Sequence, residues 1–74
     1  MNQINIDEKL LQAVTNRERE IIKDMADGLT CRQSARRRSI SRRTVEVHRH
    51  NIFKKTGLSR ATEVVAAFIR GGII

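Results

Sequence analysis

Arg43, Glu46, Val47, His50 and Lys54 stand at intervals of three, one, three and four residues. At about 100° per residue they share one face of a helix, with Val45, Ile52 and Thr56 on the opposite face. The first face carries long polar and charged tips and one exposed valine. Such groups read base edges in a major groove, the polar ones by hydrogen bonds and a valine by contact with a thymine methyl. A face that met only water would have no use for Val47. Glu46 is the odd member, because a carboxylate beside phosphates repels them. Two readings stay open for it: an acceptor for a cytosine amino group, or an i, i+3 or i, i+4 partner of His50, Arg42, Arg43 or Arg49. Arg49 falls on the flank of the buried side, where its stem can lie along apolar surface with the guanidinium outside.

The whole chain is suited to a polyanion. Its 74 residues carry 15 Lys and Arg against 8 Asp and Glu, a net charge of +7. Residues 1–29 are net −2 and residues 30–74 net +9. An excess of that size repels itself unless a polyanion neutralises it, and nucleic acid is the common cellular one. A merely soluble cationic surface is the plainer alternative from composition alone. Single strands need aromatic stacking platforms, and the chain has only Phe53 and Phe68, with no Tyr or Trp. Duplex is the expected form. The longest wholly apolar run, Val64–Ile69, is far short of the roughly 20 residues that span a bilayer, and no clean basic face opposes bulky apolar side chains. No secretory signal is read at the N-terminus, so a cytoplasmic, nucleoid-associated location is expected.

Other chemistries find little support. No serine, cysteine or threonine is arrayed with a histidine and a carboxylate, and no glycine-rich phosphate loop occurs, so neither an enzyme nor a cofactor is expected. His48 and His50 lie on different faces with no cysteine or carboxylate beside them, a poor metal pair. His48 reads more simply as a half-buried structural histidine than as a base reader. Cys31 is the sole cysteine and cannot staple the chain. It reads as an inert small residue near a helix start, with a low-pKa redox thiol beside Arg32 as the sharper alternative.

These side chains need helices to hold them, and the pattern supplies four. There is no proline, and glycine occurs only at positions 28, 57, 71 and 72. Thr15 and Glu18 have capping-box spacing, with Val14 before the cap and an Ile21, Ile22, Met25, Ala26 stripe ending at Gly28. Thr30 is the next cap, opening a short helix through about Arg38. Ser41 caps a third helix that runs to Lys55 or Thr56 before Gly57. Ser59 opens a fourth, whose apolar face is Val64, Val65, Ala67, Phe68 and Ile69, closed by Gly71-Gly72. Residues 1–13, with Ile4, Ile6, Leu10 and Leu11, read as a short leader whose second half forms at most a helical turn. The domain proper is residues 14–74. Two helices parted by Ser39 to Ser41 have the helix-turn-helix layout.

The run Val14-Thr15-Asn16-Arg17-Glu18-Arg19-Glu20 sets a pattern that continues in Ala26-Asp27-Gly28, Ile40-Ser41 and Thr44-Val45-Glu46-Val47-His48. It carries on through Asn51-Ile52, Lys54-Lys55 and Gly57-Leu58-Ser59-Arg60. With these residues the chain resembles the LuxR/FixJ/GerE-type DNA-binding domain over roughly residues 12–74. The resemblance implies an all-α, four-helix bundle that binds double-stranded promoter DNA as a homodimer and acts as a transcriptional regulator. Its third helix, about residues 42–55, would enter the major groove, and RNA polymerase becomes a candidate partner. Arg43, Glu46, Val47 and His50 match positions that face bases. Thr30, Arg32, Arg42, Thr44, Asn51, Lys54 and Lys55 match positions at the phosphates, and Arg36, Arg37 and Arg38 could add further phosphate contacts. The fourth helix would pack on a partner through Val64, Phe68 and Ile69. Two positions depart from the pattern: the resemblance implies an inward Ile and Leu on the second helix, where this chain has Ser34 and Arg38. Either Arg38 runs its charge out of a shortened apolar seam, or the second helix is poorly fixed. The latter would suit a protein-interaction module with the same fold and only non-specific DNA binding.

Overall fold

The Thr15 hydroxyl accepts from the Glu18 amide at 3.1 Å, and the Glu18 carboxylate accepts from the Thr15 amide at 3.0 Å. This reciprocal cap starts α1, Asn16–Ala26, in a computed structural model that describes residues 12–71. Most of the expected leader (residues 1–11) and Gly72 lie outside the described residues, and residues 12 and 13 are helical. Thr30 and Gln33 repeat the reciprocal arrangement at α2, Cys31–Arg38, with bonds of 3.2 and 2.9 Å. The Ser41 hydroxyl accepts from the Thr44 amide at 3.0 Å and starts α3, Arg42–Thr56. Each cap satisfies amides that a first helical turn leaves free.

The turn between α2 and α3 is tight. Ser39 takes the left-handed conformation (φ 56°, ψ 43°), and the Ile40 amide donates to the Ala35 carbonyl at 3.0 Å. A non-glycine residue there costs about 1 kcal/mol, offset by satisfying carbonyls at the end of α2. Gly57 closes α3 in the same conformation (φ 71°) without that cost.

α4, Ala61–Arg70, corrects the expected start. Ser59 does not cap it; the extended residue before the helix is Arg60. Glu63 reaches back instead, its carboxylate accepting from the Arg60 amide at 3.1 Å and the Ser59 amide at 3.4 Å. The Glu63 amide in turn donates to the Arg60 carbonyl at 3.1 Å, so Glu63 fixes the entry to the helix that Ser59 was expected to cap.

α1 packs on α3 and α4, and α2 packs on α3. Ile21, Ile22, Val45, Ile52, Val64 and Phe68 are fully buried where these helices meet, with Val14, Met25, Ala35 and Ala67 nearly so. Ala26, expected in the α1 stripe, is exposed.

The puzzle of Ser34 and Arg38 has a third answer. Asp24 of α1 is buried at 1% exposure, and Ser34, equally buried, donates its hydroxyl to it. Arg38 forks onto the same carboxylate through Nε at 3.1 Å and Nη2 at 2.6 Å, and Nη2 also donates to the Glu20 carbonyl at 3.1 Å. Arg37 adds a bond of 3.0 Å to Asp24 and one of 2.7 Å to Asp27. So α2 is neither loose nor left with an unsupported cation. A polar clamp stands where the apolar seam was expected, and every bond of the clamp is charge-assisted, the stronger kind.

A second buried carboxylate ties the entry of the domain to the end of α3. Lys55 donates to Glu18 at 2.7 Å and to the Ala13 carbonyl at 2.9 Å. Burial pushes both Asp24 and Glu18 up, but their partners outweigh it. For Asp24 the bonds from Arg38 and Ser34, the Arg38 charge and the Arg37 bond hold the carboxyl below its usual range. For Glu18 the Lys55 bond, the Thr15 amide and the Lys55 charge do the same. Unfolded, such groups take up protons near pH 4; folded, only at lower pH. The unfolded chain therefore binds more protons in that window, and stability falls as pH falls. The stabilisation is whole above the ordinary carboxyl value and is lost as pH drops through the lowered ones. Urea midpoints are expected to stay level between about pH 7 and pH 5 and to decline steadily below about pH 4. Asp24→Asn should flatten that decline, and an undiminished decline in the variant would contradict the assignment.

Candidate nucleic-acid interface

The helical geometry of α3 separates its residues as the sequence pattern requires. Val45 and Ile52 are fully buried. Arg43, Glu46, Val47 and His50 line a shallow depression of about 270 Å³ on the opposite side. Val47 is 41% exposed, His50 and Lys54 are exposed, and the Arg43 side chain is 83% exposed. His48 and Arg49 are half-buried on the flanks. All four expected base readers thus meet on one surface.

Glu46 is engaged there. Arg42 Nε donates to its carboxylate at 3.0 Å, and Arg43 Nη1 lies 3.9 Å away. Of its two open readings, the ion pair is the arrangement found in the free chain.

A larger concavity of about 430 Å³ opens beside this face, lined by Thr30, Cys31, Arg32 and Arg42. It joins the starts of α2 and α3, where helix amides and dipoles favour an anion. Thr44 is exposed, its hydroxyl 2.8 Å from that of Ser41. Arg36 is exposed and Asn51 half-buried. Cys31 is half-buried as the first residue of α2.

Besides Arg38, which the Asp24 clamp holds, two expected phosphate residues are turned elsewhere. Arg37 is held by Asp24 and Asp27, and Lys55 by Glu18 and Ala13. Each holds a nearly fully buried carboxylate, Asp24 or Glu18, whose charge it helps to offset, so both leave the candidate phosphate set. The expected partner surface on α4 is also corrected. Val64 and Phe68 are fully buried in the chain's own core and have no surface to offer. Ile69 is 54% exposed and edges an apolar groove of about 300 Å³ with Met25, Ala61, Val65 and Ala66.

Asp24 is the residue that the sequence reading passed over. Its signal was an acid set inside the Ile21, Ile22, Met25 stripe, together with two polar residues at inward positions of the next helix. Among the described residues no three His, Cys, Asp or Glu side chains converge to hold a metal ion, and no helix is long and apolar enough to cross a membrane.

Residues 12–68 match the family described as bacterial regulatory proteins, luxR family. The chain belongs to that family. The luxR-type helix-turn-helix is a DNA-binding domain of transcription regulation, and the four helices α1 to α4 of the described residues agree with it. Among similar curated proteins is the uncharacterized response regulatory protein YgeK of Escherichia coli K12, 42% identical over 60 residues, which are 81% of this chain and 41% of that protein. The probable transcriptional regulatory protein SgaR of Hyphomicrobium methylovorum is 41% identical over 59 residues, 80% of this chain and 28% of that one. The transcriptional regulatory protein UhpA of Escherichia coli K12 is 33% identical over 58 residues, 78% and 30% of the two chains. This luxR-family chain therefore spans less than half the length of each of these relatives. No solved structure matches it.

Proposed function

We propose that the chain binds double-stranded promoter DNA sequence-specifically as part of a transcriptional regulator, with α3 in the major groove. One observation carries the reading: Arg43, Glu46, Val47 and His50 lie together on the solvent side of a helix whose other side is locked into the core by Val45 and Ile52. A rigid helix with four such groups abreast matches the donor, acceptor and methyl pattern of base edges. Thr30, Arg32, Arg36, Arg42, Thr44, Asn51 and Lys54 supply phosphate contacts, which give affinity and orientation without sequence choice. The chain acts as a twofold homodimer through the C-terminal helix, with Ile69 and its groove as the seam.

The rival reading, an interaction module that kept the fold but lost readout, drew its sequence support from a loosely fixed α2. The Asp24 clamp takes that support away.

Selection of bound duplexes from a random pool tests the proposal. An enriched, partly palindromic motif is expected, whereas retention without enrichment would favour the rival. On the selected site Lys54→Ala should weaken all sequences alike and lower the salt slope by about 0.9. Arg43→Ala should relax choice at one position, at a cost of about 1–3 kcal/mol. Equal losses on every sequence for both variants would reject this division of labour.

A further inference from the structure

Arg42 belongs to two surfaces at once. Its side chain lines the anion-favouring concavity with Thr30 and Arg32, yet its Nε is bonded to Glu46 on the base-facing side. Glu46 is the one carboxylate on α3, and it draws on Arg43 as well. From this juxtaposition we infer that Glu46 is a counter-charge that withholds Arg42 from DNA unless a base takes the arginine's place on the carboxylate. The inference rests on the proposed DNA reading and adds to it how specificity arises.

The pair is easily broken. The Arg42 side chain is 60% exposed and that of Glu46 39%, and ion pairs at such exposure contribute little, so a phosphate competes for the guanidinium readily. The consequence lies in what is left behind. Once Arg42 moves to a phosphate, the Glu46 carboxylate faces the groove with no hydrogen bond, Arg43 standing off at 3.9 Å. Cytosine and adenine present an amino group there and can donate to it; guanine and thymine present acceptors and repel it. The exchange is balanced on a matching base and opposed on others, where Arg42 stays paired and one phosphate contact is forgone. Glu46 therefore sets the gap between a cognate site and background DNA more than it sets cognate affinity.

The test compares the intact chain with Glu46→Gln on two duplexes of equal length, the best one from pool selection and a scrambled one, across a salt series. Arg42 is exposed and Glu46 half-buried on the first turns of α3, and circular dichroism checks that each variant is folded. Glu46→Gln is expected to bind the scrambled duplex about tenfold more tightly, with a salt slope steeper by about 0.9, while cognate binding changes less. The ratio between the two duplexes should shrink accordingly. In an Arg42→Ala background the same Gln substitution should raise scrambled-duplex binding by much less. An unchanged affinity and slope on scrambled DNA would overturn the inference. So would an equal rise with and without Arg42, which would mean simple relief of repulsion. Failure of the selection to yield a preferred duplex would instead count against sequence-specific recognition, and the scrambled-duplex arm would still test the counter-charge.

Discussion

Replacing Asp24 with alanine is expected to cost about 3 kcal/mol of folding stability, a large share of what a 74-residue chain has. The carboxylate is 1% exposed and receives Ser34, Arg37 and Arg38. Removing it strands a fully buried hydroxyl and a guanidinium whose side chain is only 21% exposed. Breaking one side of a buried charged network typically costs about 3–5 kcal/mol. The low end applies because Arg37, at 43% side-chain exposure, can return to water, and Arg38 can do so in part. Asp27→Ala, which removes only the exposed half of the Arg37 pairing, should leave the urea midpoint nearly unchanged. The informative partner is a triple variant with Asp24→Leu, Ser34→Ile and Arg38→Leu. It puts the Ile and Leu that the resemblance implies on α2 against a leucine in place of Asp24, and is expected to equal or exceed the parent in stability, since packed apolar groups often match a buried ion network. Urea denaturation followed by circular dichroism reads all three. A neutral Asp24→Ala would mean that the clamp does not fix α2.

The same clamp marks where sequence reading stops. Within one helix, spacing fixes which residues share a face, and that is why the caps at Thr15, Thr30 and Ser41 and the two sides of α3 were legible. Nothing in spacing says which residue of a neighbouring helix a polar side chain will meet. Asp24 and Arg38 are fourteen positions apart, and only the crossing of α1 and α2 brings them together. Arg37 and Lys55 looked like free cations for the same reason; each is claimed by a carboxylate on α1. The proposed base-facing residues were easier to place on one surface because they come from one helix. The proposed phosphate set draws on several elements, and it lost residues where a cation had a partner across the fold.

Phe68 separates the same two kinds of information at α4. Phe68→Ala is expected to cost about 3–5 kcal/mol, the usual range for emptying a buried aromatic site, because the ring is fully buried against the chain's own core. Were Phe68 a seam residue instead, the variant would remain folded and simply become monomeric. Urea denaturation together with sedimentation over a concentration series distinguishes the outcomes: loss of the folded state at every concentration is expected, not a folded monomer. Ile69→Lys should behave in the opposite way. Ile69 is 54% exposed, so folding stability should change by no more than about 0.5 kcal/mol. A charge at the edge of the apolar groove, however, should abolish cooperative binding to a palindromic duplex, since an unpaired cation buried at a seam is costly. If Ile69→Lys kept full cooperativity on the two half-sites, the partner contact would have to lie on some surface other than α4.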